Sequence, residues 1–581
     1  MKNHRLPLFV CRMIGALIIA AFASAGAAMA QSSPSDPPPP KNFTVSPTGV
    51  SLYDLAFLYD VDDFKIGTLT FSRSYMSSVV RSSEYFGEHW THNFDIWAQD
   101  QTVSGNAVST VVIGRTTYKF NSWSTTPGGG APENDEVGTT LANVGGSIVF
   151  TDRDGVVYKF APTSGPQKIS TITRPNGEVI SFVYSSGRPV RITSNFGYAI
   201  VLEYSGATSR VISACGFDLS STYVSASTTC ATAAVKVGYT YALQGVHNNL
   251  TTATDVMGNI SNYSYDYTLT DGLTCIRRPG ETACRITNVY AQKLTVNGIP
   301  IVISQTLADG SVWGFDCTCG ENAIGDPDNF DPIEYTTVTY PNGRTTDTWF
   351  EKGVLFRHYD EIGRLTEFNY FGRLLVSAKL PESNHVTYNT YGNLADNGRT
   401  YSAKPGTGLS DIVTGTKTYP ASCIPALCYK PLTVTDSRGQ VTNFTYDATH
   451  AGVLSEMQPA PATGAARPLK LYTYVQKSAY VKNSSGALVA NGLPIWMIST
   501  VIQCQTVAGG NTPACDTAGP RLQTTYQYGG DGVADNLLVR GTEVKDLATG
   551  VKRLTCFAYD TLGRKISQTN PRGNLSITVC P

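Results

Sequence analysis

The residue types able to do chemistry are sparse in this sequence and poorly spaced for it. His89 and His92, in the run Glu88-His89-Trp90-Thr91-His92, are two imidazoles close to each other and to a carboxylate. A metal centre needs an identifiable set of three or four ligands, and no second half accompanies this pair, so both are expected as packed polar residues. Asp326, Asp328 and Asp331 make an oxygen-rich loop. Its spacing lacks the glycine and the terminal glutamate of a calcium loop, which leaves a solvated Asp/Pro turn. Gly-x-Ser-x-Gly, His-Glu-x-x-His, the Walker phosphate loop and Gly-x-Gly-x-x-Gly are all absent. The six histidines after residue 30 form no acid–base constellation. Carboxylates cannot be paired for glycosidase chemistry without their separation. No catalytic residue, cofactor or metal site is assigned, and the chain is not expected to be an enzyme.

The cysteines point to covalent staples instead. Of 13 cysteines, Cys11 lies inside an N-terminal leader, and the rest are even in number and fall in close neighbours. These are Cys215 and Cys230, Cys275 and Cys284, Cys317 and Cys319, Cys423 and Cys428, Cys504 and Cys515, and Cys556 and Cys580. No two clusters match at zinc-finger spacing, so disulfides in an oxidising compartment are favoured over metal. Their connectivity is not fixed by sequence, and Cys317 with Cys319 would close an unusually tight ring. Short loops of this kind each stabilise by ~2–3 kcal/mol.

That compartment agrees with the start of the chain. Residues 1–30 read as an export signal: Lys2, His4 and Arg5 form a basic start, Met13 to Phe22 is apolar, and Ala28-Met29-Ala30 precedes Gln31 in a small-x-small cleavage pattern. The apolar stretch is short for a bilayer, and nothing later reaches ~18 uninterrupted apolar residues. The protein is therefore expected to be secreted, periplasmic or at the cell surface, with no membrane span after cleavage. Residues 31–44, with Pro37-Pro38-Pro39-Pro40, form an extended tether. Lys+Arg 44 against Asp+Glu 45 leaves a net charge of -1, which exerts no long-range pull on phosphate backbones and argues against a nucleic-acid partner. With 54 Gly, 31 Pro, 32 Tyr and 22 Phe and few runs of helix formers, the chain has material for a core and reads as β-rich.

Two regions are expected to carry that β structure, a unit at 45–149 and a repetitive array at 150–581. Four array segments share a glycine, an aromatic at +5 and a tyrosine at +7: Gly177 with Phe182 and Tyr184, Gly258 with Tyr263 and Tyr265, Gly363 with Phe368 and Tyr370, and Gly439 with Phe444 and Tyr446. Two of them continue into Tyr-Asp, at Asp266 and Asp447. Tyr359-Asp360 and Tyr559-Asp560 lead forward to Gly363-Arg364 and Gly563-Arg564. Positions +5 and +7 share one face of a strand and no face of a helix. Asp-x-x-Gly is a tight turn, with the Asp side chain capping it and Gly accepting positive φ. Arg364 and Arg564 are expected as solvent-facing turn residues. The aliphatic at +2 (Val179, Ile260, Leu365, Val441) has opposite parity, which means either that both faces are partly covered or that a bulge follows the turn.

At these residues the chain resembles the Rhs/YD-repeat proteins, whose repeat runs roughly Gly-Arg/Asn-hydrophobic-Thr-x-Tyr-x-Tyr-Asp-x-x-Gly. Gly363 to Tyr370 and Thr435 to Asp447 match it, Asp152 to Phe160 resembles the opening of such an array, and Arg73-Ser74-Tyr75 with Phe86 to Asp95 resembles the β-rich domain that precedes it. The resemblance implies an all-β fold, an antiparallel sheet spiralling into a partial shell after a small β-rich N-terminal domain. It lacks the family's C-terminal core block and toxin domain, so shell wall without plug or cargo is expected. Asp326-Pro327 and Asp331-Pro332 are in the wrong context for the family's self-cleavage. The implied function is non-catalytic encapsulation or scaffolding of another polypeptide. Two alternatives are a surface adhesin that stacks its aromatics on carbohydrate and a truncated toxin without its effector.

Overall fold

The computed structural model describes residues 44–580 apart from 79–84, 104–105, 122–130, 133–138, 164, 207–208, 245–246, 268–271, 292–300, 319–334, 352–353, 372–373, 380–385, 392–398, 404–411, 422–425, 437 and 572–576. The described residues lie in one compact unit that begins at Pro40. The fold is all-β and antiparallel. No helix among the described residues is long and apolar enough to cross a membrane.

Three strands near the start form a separate small sheet: β1 (Leu58–Ile66), β2 (Leu69–Met76) and β3 (Trp90–His92). Strand β2 shows the strand period cleanly, with Leu69, Phe71, Arg73 and Tyr75 buried and the residues between them half-exposed. From Thr140–Val144 to Lys565–Gln568 each strand then pairs with its neighbours in sequence. One hairpin, Tyr480–Lys482 with Leu488–Ala490, stands outside this ladder, so Pro468–Lys477 pairs directly with Ile495–Gln505. β4 (Ile96–Val103) pairs with Asn106–Ile113 and also meets Gln167 and Lys168, which adds a branch. Among the described residues the pairings do not return to their start, so the sheet is open and branched.

Two kinds of connection alternate along the array. One rim carries flush Asp/Asn-x-x-Gly turns. At residues 255–259 the Asp255 carboxylate accepts the amides of Met257 and Asn259 at 2.8 and 2.9 Å, while Gly258 sits at φ +85°. The other rim carries hairpins in which two residues of the outgoing strand oppose one of the incoming strand. The register slips at Tyr184, Tyr204, Tyr241, Tyr265, Tyr290, Phe350, Tyr370, Tyr446, Tyr474, Tyr528 and Tyr559. Each such bulge bends the strand and raises its local twist, so their recurrence on one rim curves the sheet continuously.

The curvature brings distant coils together. Trp496 donates its amide to Asn176 O at 2.8 Å, Lys482 donates its amide to Leu219 O at 2.7 Å, and the guanidinium of Arg153 lies 4.5 Å from the Tyr429 ring centroid. Turns at 152–155, 174–177 and 194–197 thus rest on residues 426–430 and 479–496. One hydrophobic core joins the early sheet to the array, from Val50 and Trp90 through Tyr263 to Phe368.

Candidate functional site

Chemistry-bearing side chains are drawn into the fabric of the sheet. The turn residues come first. Asp360 Oδ1 accepts the amides of Ile362 and Arg364, and its Oδ2 takes the Arg364 Nε–H at 2.6 Å. Asp560 does the same for Leu562 and Arg564, with the guanidinium at 2.7 Å. Burial pushes both carboxyls upward, but these amides and guanidinium groups hold them below the usual carboxylate range. Gly363, Gly439 and Gly563 all have φ between +72° and +78°. Arg364 and Arg564 are solvent-facing and at the same time paired across their own turns.

The +5 and +7 aromatics share a face, as the stacked rings of Phe444 and Tyr446 show at 6.4 Å. The +2 aliphatics lie on the other face, where Ile260 is exposed and Val179, Leu365 and Val441 are half-buried. Partial covering, and not a bulge after the turn, explains their parity, because the register slips only at the +7 tyrosine. The Tyr-Asp dipeptide has three placements. In Tyr359-Asp360 it enters a flush turn, Tyr265-Asp266 and Tyr446-Asp447 end the bulged strands at the opposite rim, and Tyr559-Asp560 combines a register slip at Tyr559 with the Asp560-x-x-Gly563 turn in one hairpin. At the opposite rim Asp447 accepts the amides of Thr449 and His450.

A rule connects these tyrosines. In eight of them the hydroxyl donates to the backbone carbonyl that stands opposite the preceding repeat's bulge aromatic. Tyr184 donates to Ile169, Tyr204 to Pro189, Tyr241 to Val211, Tyr265 to Leu250, Tyr290 to Leu273, Tyr474 to Val453, Tyr528 to Ile498 and Tyr559 to Val539, all at 2.6–3.1 Å. Ile169, Pro189, Val211, Leu250, Leu273, Val453, Ile498 and Val539 are the register partners of Phe160, Tyr184, Tyr204, Tyr241, Tyr265, Tyr446, Tyr474 and Tyr528. Tyr446 departs from the rule and donates to Pro431. A bulge leaves a backbone carbonyl displaced from the ladder, and the next tyrosine satisfies it.

The early sheet docks its own aromatics on this face. Phe94 meets Phe182, Phe86 meets Tyr239 and Trp90 meets Tyr263, each edge to face at 4.9–5.9 Å. At the centre Arg73, 1% exposed, makes a two-pronged ion pair with Asp63 at 2.6 and 2.8 Å. The Tyr239 hydroxyl donates to the same carboxylate at 2.6 Å. The guanidinium lies 5.0–5.8 Å from the rings of Tyr239, Trp90 and Tyr263. Burial lowers the Arg73 pKa, but Asp63 outweighs it and the guanidinium stays charged.

His92 is fully buried against Phe71 and Phe86, and its Nδ1 accepts the Phe94 amide at 3.2 Å. His89 packs on Tyr75. Asp326, Asp328 and Asp331 lie outside the described residues. Cys215–Cys230, Cys275–Cys284, Cys504–Cys515 and Cys556–Cys580 are disulfides. Cys317 and Cys428 are also disulfide-bonded, while Cys319 and Cys423 lie outside the described residues.

A glycine-anchored search finds only some of the ladder. Tyr239-x-Tyr241, Tyr472-x-Tyr474, Tyr526-x-Tyr528 and Phe557-x-Tyr559 carry the same aromatic spacing after other turns, and that spacing alone would have found them. The Arg73–Asp63 pair has no sequence signal beyond strand parity.

No family model and no curated protein matches the chain. Among solved structures it is similar to the crystal structure of TcdB2-TccC3-Cdc42, at 9% identity over 88% of this chain and 27% of that one, with a TM-score of 0.34. The Photorhabdus luminescens Tc holotoxin pore gives 9% identity, the same coverage and a TM-score of 0.33. The crystal structure of TcdB2-TccC3 gives 12% identity over 79% of this chain and 27% of that one, with a TM-score of 0.32. The chain spans about a quarter of the length of these structures' chains.

Proposed function

We propose that the protein is an exported, non-catalytic structural protein whose coiled sheet forms part of a wall that encloses or scaffolds another polypeptide. The observation that carries this reading is the tyrosine ladder. It spends the hydroxyls of the motif on displaced backbone carbonyls, and it recurs with the bulges that curve the sheet. The strand Lys565–Gln568 is exposed at all four residues and is paired along one edge only among the described residues. An unpaired strand edge is a template for backbone pairing with another chain, which supports a polypeptide partner. Size-exclusion chromatography and pull-down from native secretions test the reading. A stably co-purifying second chain is expected, and a persistently monomeric, partnerless protein would overturn it.

The adhesin reading keeps one foothold. Tyr263 and Tyr265 are buried under the early sheet, but Phe444 and Tyr446 are half-buried and stacked. Glycan-array binding that Tyr446→Ala abolishes, with the fold intact, would favour it.

A further inference from the structure

We propose that residues 478–494 are a latch that fastens two coils of the sheet to each other and releases as one unit, opening the wall there while the ladder stays paired. Hairpins on the bulged rim turn in two residues where Ser185 pairs with Arg188, Gln244 with His247 and Glu351 with Val354. The hairpin of Pro468–Lys477 with Ile495–Gln505 instead reaches its last pair at Lys477 and Ile495, and the residues between them form an insert. The insert folds on itself. Tyr480–Lys482 pairs with Leu488–Ala490, and Asn483 Oδ1 accepts the amides of Ser485 and Ala487 at 3.0 Å.

The insert is held from two sides. Toward the early coil, Lys482 donates its amide to Leu219 O at 2.7 Å, Asn491 Nδ2 donates to Asn195 O, and Asn195 Nδ2 donates back to Leu493 O at 3.3 Å. At the base, Trp496 donates its amide to Asn176 O at 2.8 Å. Toward the following hairpin, Asn536 Oδ1 accepts the Tyr480 amide at 3.0 Å and its Nδ2 donates to Ser478 O at 2.9 Å. These holds are polar and shallow. Of residues 478–494 only Ala479 is buried, against Ile495, Leu537 and the half-buried Phe196. A segment with a few backbone bonds and little buried apolar surface opens at a lower free energy than the sheet beneath it. Ladder pairing stops at Lys477 and Ile495, so the release breaks none of it. The coils also meet where the Arg153 guanidinium lies over Tyr429 and where Tyr198 stands against Gly563, contacts that keep them aligned while the latch is open.

The latch is a property of this chain alone, whereas its use as an opening in a wall rests on the function proposed above, so the test follows the seam and not a partner. Amide hydrogen exchange of the full chain, read by mass spectrometry, separates latch peptides 478–483 and 490–497 from ladder peptides 469–476 and 499–505. The latch peptides should share one opening constant, faster than that of the ladder. Asn536→Ala removes the hold on the late side and Asn491→Ala weakens the hold on the early side. Either should speed exchange at Tyr480, Lys482 and Trp496 together, by about three- to tenfold, and leave the ladder peptides at wild-type rates. Asn342→Ala, in the turn at 340–344, should change neither set. Replacing residues 478–494 by Asn-Gly, a two-residue hairpin loop, should keep the ladder protected and open the turns at 174–177 and 194–197 to protease. Faster exchange confined to the side of each substitution, or spread equally into 469–476, overturns the latch, as does loss of ladder protection in the Asn-Gly chain.

Discussion

Trp90 Nε1 donates a hydrogen bond of 2.9 Å to the Tyr265 hydroxyl, which donates onward to Leu250 O at 2.8 Å. One phenol therefore joins the early sheet to the tyrosine ladder, across 175 residues of sequence. Elsewhere on the ladder, as at Tyr204 and Tyr528, the hydroxyl satisfies the displaced carbonyl behind it. Where the early sheet covers the ladder, the same oxygen also satisfies a buried indole.

Tyr265→Phe should therefore cost more than the same change elsewhere on the ladder. It strands both the Trp90 N–H and the Leu250 carbonyl in a buried setting, a loss of ~1–3 kcal/mol. Tyr446→Phe removes one half-buried bond and should cost about 0.5–1.5 kcal/mol. Urea unfolding of the two variants measures the difference, and equal costs would refute the bridging role of Tyr265.

Arg73→Met should be severely destabilising, by ~3–5 kcal/mol, because it leaves the Asp63 carboxylate buried without its cation. Asp63→Asn in the Arg73→Met background should recover part of the loss, since no unpaired charge remains. Arg73→Lys should not rescue fully, as an ammonium cannot reproduce the two-pronged bond or the stacking on Trp90 and Tyr239. Thermal melts of the three variants order these outcomes.

The sequence made the ladder's period legible, because Gly258, Tyr263 and Tyr265 follow strand parity and Asp-x-x-Gly is a local turn. The bulge was not legible. It depends on which residue of the next strand stands opposite Tyr265, and pairing register is a property of two strands. The cover over Tyr263 was equally hidden, since Trp90 is a non-local neighbour. The clustering of Arg73 with Asp63 and Tyr239 depends on three strands meeting, and no spacing in the chain records that. Close cysteines were readable because a short loop needs no knowledge of the rest of the fold.

Gly177 and Gly258 separate turn strain from coil contact. Both have left-handed backbones, at φ +88° and +85°, so alanine costs roughly 1 kcal/mol at either from strain alone. A Cβ at Gly258 meets open space, whereas at Gly177 it would lie 2.9 Å from Pro494 O on the neighbouring coil. Gly177→Ala should therefore lower the melting temperature further, and it should raise proteolytic cleavage near 491–496 while Gly258→Ala does not. Identical behaviour of the two would argue against the coil contact.

The Cys556–Cys580 bond closes a 24-residue separation and holds the chain beside Gln527, whose side chain accepts the Cys580 amide at 3.0 Å and donates to Thr578 O at 2.9 Å. Replacing both cysteines by serine should cost about 3 kcal/mol in the unit it closes. The effect should be local, with faster exchange in Lys552–Tyr559 and little change at Trp90 or Tyr265. Uniform loss of protection across the array would contradict a local staple.

His92 should give the fold a pH response. Burial pulls its imidazole down to about 4, with Asp95 acting the other way. The folded state thus prefers neutral His92, and its contribution is whole above the free value near 6.5 and is lost as pH falls towards 4. His92→Gln can still accept the Phe94 amide but cannot titrate. The stability of the wild type minus that of His92→Gln should then be flat above pH 7 and fall steadily between about pH 6.5 and 4. Because both proteins carry the same carboxylates, subtraction removes the general acid destabilisation. A difference curve without slope in that window would mean that His92 reaches solvent and takes up its proton without unfolding the early sheet.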